Sequence, residues 1–322
     1  MERKGRGMKE MKLAAMLAVM ALTVAAGMAR AGELVSKEGF VDVDGGKVWY
    51  RMVGSGAGTP LLILHGGPGV PSYYLKPLAA LGDERPVVFF DQLGCGHSPA
   101  ENDSSLWTIN QFVKQVGDVR KALGLKEIYL FGHSWGTILA AEYMFTKPEG
   151  VRGLILASPA LDIPRWGKDA EKLLAGLPDS VQSVIHKHEA DGTTDAPEYQ
   201  NAVMAYYFKY LARRQPWSAD IDSSFAQINP ALYNYMNGPS EFALTGTLIN
   251  YDCTHRLHEL TVPVLFTAGE FDEAVPSTVA YFEDLVPHSE MATFKDCGHL
   301  TMQDDSTHYV EAVRKFLRKL DK

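Results

Sequence analysis

Ser134 stands in Gly132-His133-Ser134-Trp135-Gly136, a G-x-S-x-G pentapeptide. A serine hydroxyl is a poor nucleophile at neutral pH and needs a base to activate it. The pentapeptide alone is weak, but its neighbours give it meaning. Ile128-Tyr129-Leu130-Phe131 reads as a buried strand, and Thr137-Ile138-Leu139-Ala140-Ala141 as the start of a helix. That is the context of a nucleophile elbow, where small residues flank the serine because the turn is tight. The turn lifts Ser134 Oγ above the sheet.

The base in turn needs an orienting carboxylate, in the chain order serine, acid, histidine. Gly269-Glu270-Phe271-Asp272 follows an apolar strand at 264–268, which puts Asp272 at the carboxyl edge of the sheet. Glu270 and Glu273 are rival carboxylates; Asp272 matches the turn better. Asp296-Cys297-Gly298-His299 follows a last strand near 290–294 and brings His299 to the same edge. His65, His97 and His133 precede or adjoin the serine and are read as shaping turns. Acyl transfer also builds up an oxyanion, which calls for two N–H donors. One is expected from Trp135. The other should come from His65-Gly66-Gly67-Pro68-Gly69. Pro68 has no N–H, so Gly66 or Gly67 donates, and Gly67 is preferred.

These residues need a sheet to hold them. Phe40-Val43 and Val48-Met52 flank Asp44-Gly45-Gly46, a hairpin signal. Continuous apolar runs at 61–64, 87–90, 128–131, 154–156 and 264–266 fit strands buried on both faces. Between them, 108–123 carries apolar residues at helical spacing, with Thr108 and Gln111 as a capping box and Gly124 as a stop. Further helices are expected at 277–286 and 306–320. The alternation predicts an α/β fold with a mostly parallel, eight-stranded sheet and helices on both faces. Residues 160–258 break it. They lack buried-strand runs, are rich in Tyr, Phe and Trp, and read as a helical insertion. The core is then 32–159 and 259–322.

The first residues read as an address. A basic start, an uncharged stretch from Leu13 to Met28 and Ala29-Arg30-Ala31 make a secretory signal of residues 1–31, too short to span a bilayer. Export to the periplasm or medium follows as an expectation. Cleavage would remove six basic and two acidic residues and move the formal charge from -8 to −12. An acidic chain argues against a nucleic-acid partner. Cys95, Cys253 and Cys297 are too few for a disulfide scaffold. No metal-binding spacing and no dinucleotide fingerprint is present, so neither metal nor cofactor is expected.

His65-Gly66-Gly67-Pro68-Gly69, Asp91-Gln92-Leu93-Gly94-Cys95-Gly96-His97-Ser98, Gly132-His133-Ser134-Trp135-Gly136, Met236-Asn237-Gly238-Pro239-Ser240-Glu241-Phe242 and Asp296-Cys297-Gly298-His299-Leu300-Thr301 together resemble the prolyl iminopeptidase and amino-acid amidase branch of the α/β-hydrolases. The likeness runs from about residue 36 to the end. It implies a serine triad of Ser134, Asp272 and His299, no metal, a helical cap after the sixth strand, and release of an N-terminal residue, often proline. The substrates it implies are small peptides or amino-acid amides. It also implies that cap acids bind the substrate amine. Glu241 matches one of them, while Gln215 stands at the apparent position of the second, where charge is lost. The plain alternative for Glu241 is a solvated helix-cap acid, and for the cap aromatics a small core of their own.

Three functions compete. The first is an exported serine aminopeptidase or amidase working through an acyl-enzyme. The second is a carboxylesterase of the same fold, which Gln215 keeps open. The third is a non-catalytic binding protein, which the complete Ser134, Asp272 and His299 set opposes. Dehalogenases and epoxide hydrolases of this fold carry aspartate at the elbow, so Ser134 speaks against them.

Overall fold

The computed structural model describes residues 34–322. The expected export signal at 1–31 lies outside them. Ser36–Lys322 form one compact unit. Eight strands make one sheet: β1 (Ser36–Val43), β2 (Gly46–Val53), β3 (Leu61–Leu64), β4 (Val87–Phe90), β5 (Ile128–His133), β6 (Val151–Ala157), β7 (Val264–Gly269) and β8 (Ser289–Phe294). Their spatial order is β1-β2-β4-β3-β5-β6-β7-β8. The β1–β2 and β2–β4 pairs are antiparallel and the rest are parallel. Central β3, β4, β5 and β7 are buried at every position, because helices cover both faces. Edge strands β1 and β8 are partly exposed and correspondingly mixed in sequence.

Helix α1 (Ile109–Ala122) buries Phe112, Val116 and Val119 against the sheet. Thr108 caps it by accepting from the Gln111 N–H at 3.3 Å. Helix α2 (Trp135–Phe145) leaves the elbow and is buried almost throughout. One stretch escaped the periodicity: Ser72–Asp83 forms 3₁₀ turns around Pro77. Such turns lack the 3.6-residue repeat by which a helix is recognised.

Between β6 and β7 the chain is helical: α3 (Ile163–Ala175), α4 (Asp179–Asp191), α5 (Pro197–Tyr210), α6 (Ala219–Ala226) and α7 (Pro230–Met236). Its aromatics divide. Tyr199, Tyr206 and Tyr210 pack with Leu174, Leu177 and Ile185 in a core of their own. Ile163 and Trp166 belong to the main core. After Met236 the chain is mostly irregular until a 3₁₀ turn at Thr254–Glu259. Helices α8 (Pro276–Asp284), α9 (Thr301–Asp304) and α10 (Ser306–Leu320) complete the fold. The three cysteines are buried and unpaired.

Candidate active site

Ser134 links β5 to α2 with φ +53° and ψ −122°. Such a conformation is costly for a residue with a Cβ and holds only where its surroundings enforce it. They do so here through glycine. A Cβ on Gly132 would run into the Gly136 carbonyl oxygen, and one on Gly136 into that of Leu64. The Ser134 N–H is tied to the Ala157 oxygen at 3.0 Å, which pins the turn to β6.

Asp272 and His299 meet at the carboxyl edge of the sheet, both buried. His299 Nδ1 lies 2.7 Å from Asp272 Oδ1. An ionised carboxylate only accepts, so Nδ1 carries the proton and Nε2 is left as the basic nitrogen. Asp272 is itself held by four donors. Ala274 N–H donates to Oδ1 at 2.8 Å, and Gly269 N–H to Oδ2 at 2.9 Å. Ser158 Oγ donates to Oδ2 at 2.7 Å. No hydrogen bond joins Ser134 Oγ to His299, but both residues line one cavity. The rival Glu270 accepts from the Asp296 N–H at 3.0 Å and braces the histidine loop.

His133 acts on the backbone, as read from its position. Tyr74 Oη accepts from the Gly66 N–H at 2.7 Å and contacts His133 Nδ1 at 2.9 Å. His133 Nε2 donates to the His299 carbonyl at 3.0 Å. Burial, and then the charge of His299, push the His133 pKa well below the ordinary histidine value. It therefore stays neutral and serves as a spacer between two loops.

The Gly66 N–H is thus spent on Tyr74. That leaves Gly67, which has φ +113°, as the candidate donor from this loop. Among the described residues neither the Gly67 nor the Trp135 N–H has an acceptor. Gln92 registers the two donors. Its N–H donates to His65 Nε2 at 2.8 Å, its Nε2 to the His65 carbonyl at 3.0 Å, and its Oε1 accepts from Trp135 Nε1 at 2.9 Å.

Ser134 opens on a cavity of about 400 Å³ between sheet edge and insertion. A slot of about 10 Å³, room for a single water, adjoins it, walled by Trp135, Ile138, Ile163, Trp166 and Leu248 with Asn237 and Glu241. Ser134, Gly67 and Glu241 line both spaces.

A family model described as the alpha/beta hydrolase fold matches residues 59–305. A proline iminopeptidase from Heyndrickxia coagulans is 42% identical over 88% of this chain and 99% of its own. The chain belongs to the proline iminopeptidase family of α/β-hydrolases. Solved structures agree. VinJ superposes with a TM-score of 0.85 at 34% identity, covering 88% of this chain and 99% of VinJ. The proline iminopeptidase of Mycobacterium smegmatis does so with 0.82 at 32%, with the same coverage. This family member is accordingly an enzyme, a serine hydrolase of the aminopeptidase type.

The expected amine site of the enzyme needs one correction. Glu241 is partly buried beside Ser134; Tyr233 Oη donates to its carboxylate and Trp166 Nε1 to its carbonyl at 3.0 Å. It is no solvated cap: burial raises its pKa against the lowering effects of Tyr233 and His299. Gln215 is elsewhere. It is exposed, its amide donates to the Ala212 carbonyl at 3.3 Å, and it lines neither space. A turn ending in Pro216-Trp217 faces it outward, and Trp217 Nε1 takes the same carbonyl at 3.0 Å. A second acid, Glu273, feels the charge of Glu241 from behind the site, since it lines neither space. It is 2% exposed, and neither carboxylate oxygen has a partner among the described residues. Burial, then the charge of Glu241 and of Asp272, push its pKa well above the usual range. In the sequence Glu273 reads only as a rival for the triad. The available signal was its place directly after Asp272, within reach of the same edge.

Proposed function

We propose that this protein is an exported serine aminopeptidase that releases N-terminal residues, preferably proline, from small peptides or amino-acid amides. Ser134 attacks the carbonyl and His299 Nε2 takes its proton. Asp272 orients the imidazole and stabilises its charged form. The Gly67 and Trp135 N–H groups receive the oxyanion. His299 then protonates the leaving amine, and the acyl-enzyme on Ser134 is hydrolysed by a water that His299 activates.

The observation that carries this reading is Glu241, which lines both spaces beside Ser134, with the charge of buried Glu273 acting on it. A buried carboxyl group with no donor and no cation is unfavourable in isolation. It becomes favourable when an ammonium arrives, and an N-terminal amine supplies one. The carboxylesterase reading rested on Gln215, which lies outside the site and no longer favours it.

The test compares an L-prolyl arylamide, its N-blocked form and a short aryl ester. Fast turnover of the arylamide that is lost on blocking the amine supports the proposal. Equal turnover of blocked and free substrate would refute the amine site. Export rests on the basic start, the apolar stretch and Ala29-Arg30-Ala31. Cell fractionation with N-terminal sequencing should find a mature chain beginning at Gly32.

A further inference from the structure

The two spaces beside Ser134 differ in chemistry, and the difference bears on what leaves. His299 and Leu300 line only the large cavity, whereas Trp135, Ile138 and Trp166 line only the slot. A departing amine takes its proton from the catalytic histidine, so it must lie on the His299 side. The large cavity therefore receives the leaving group.

Its insertion wall is apolar over Val203, Met204, Leu211, Phe225 and Ile228, and is broken by polar groups such as Gln200 and Asn234. About 400 Å³ is within the range of pockets that enclose a whole small ligand. Its charge is one-sided. Asp195 stands at the exposed rim and Glu241 at the inner end, and no lysine or arginine is among the lining residues. Two cations at the end of α5, Lys209 and Arg213, are turned to other partners. Lys209 Nζ donates to the Gly176 carbonyl at 2.9 Å. Arg213 Nε donates to the Asp296 carbonyl at 3.2 Å, with its guanidinium over the Phe271 ring.

A free dipeptide would carry its C-terminal carboxylate one residue beyond the scissile bond, about 3.5 Å further along the chain. That anion would lose water in a mostly apolar space whose charged side chains are carboxylates and whose lining holds no lysine or arginine. Resting on the aminopeptidase reading, we infer that the preferred leaving group is large, apolar and free of a carboxylate at its first residue. The substrates are then amidated or longer peptides with an apolar second residue, not free dipeptides.

The test measures kcat/KM for L-Pro-L-Phe-amide, L-Pro-Gly-amide and L-Pro-L-Phe as the free acid. The first should exceed each of the others by about tenfold or more, chiefly through KM. Phe and Gly amides within about twofold of each other, or a free acid as good as its amide, would overturn the inference. Asp195→Asn on the exposed rim should narrow the amide-to-acid ratio, and Met204→Lys should narrow it further. An unchanged ratio in both folded variants counts against the charge argument. The two readings fail differently. If the three prolyl substrates are cleaved alike, only this inference falls. If none is cleaved while a short aryl ester is, the aminopeptidase reading falls and takes the inference with it.

Discussion

A carboxyl group that is buried without a donor holds its proton, and Glu273 is such a group. Its raised pKa fixes the sign of its effect on stability. Below the ordinary glutamate range, folded and unfolded chains both carry the proton and the ionisation of Glu273 has no bearing on stability. As pH rises past that range the unfolded chain releases its proton first, so stability falls until pH passes the raised folded value. Glu273→Gln should therefore raise Tm at pH 7 by roughly 2–4 °C and leave it unchanged near pH 4. A lower Tm at both values, by calorimetry, would make Glu273 a structural group. The same variant should raise KM for amine-bearing substrates by about 10–100-fold, the worth of a hydrogen bond to a charged group. Glu241→Gln should do likewise, and neither change should touch an ester that lacks the amine. Ser134→Ala is different in kind: it should cut kcat by about 10⁴-fold or more with the circular dichroism spectrum unchanged. Residual activity within about tenfold of wild type would move the nucleophile elsewhere.

Elements explain which of these residues were legible in the chain. Five buried strands stood out as unbroken apolar runs, because helices on both faces leave no polar side to alternate. Since the loops after β5, β7 and β8 share one edge, Ser134, Asp272 and His299 followed from strand order. Glu273, Ser158 and Gln92 did not. Their roles come from the loop folding back. Ser158, with φ +48° just past β6, reaches across to Asp272 Oδ2. Such a contact has no spacing in sequence. Gln215 failed for the same reason in reverse: a place beside Pro216-Trp217 says nothing of where the turn points. Gln92 carries the element-scale prediction. It ties the loop after β3 to the elbow after β5, and so spaces the Gly67 and Trp135 donors. Gln92→Ala should lower kcat by about 10–100-fold with little change in KM, since the oxyanion forms only in the transition state. A change confined to KM would place Gln92 in ground-state binding instead.

At the scale of the whole molecule, the insertion and the histidine loop are built as one piece. The His299 N–H donates to the Tyr210 carbonyl at 2.8 Å, and that of Leu300 to Leu211 at 2.7 Å. Asp304 closes the junction. Its carboxylate accepts the Gly298 N–H at 2.8 Å from the histidine loop, with the Arg213 N–H at 2.9 Å and the Arg214 N–H at 2.8 Å from the end of α5. The wall of the cavity and the base that works in it therefore share an anchor. Loosening one displaces the other. Asp304→Ala leaves three N–H groups without their acceptor and should cost about 3 kcal/mol of stability. It should also lower kcat by about tenfold or more, because small displacements of a catalytic group are expensive. Hydrogen exchange should quicken at Gly298, Arg213 and Arg214 together. The contrast is Asp220, whose carboxylate meets Lys76 Nζ at 3.0 Å where α6 packs on the 3₁₀ turns of Ser72–Asp83. That pair is exposed, and Asp220→Ala should cost less than about 1 kcal/mol with kcat unchanged. If both variants slow catalysis equally, the insertion acts as a loosely held lid. If only Asp304→Ala does, the end of α5 is part of the machinery that aims His299.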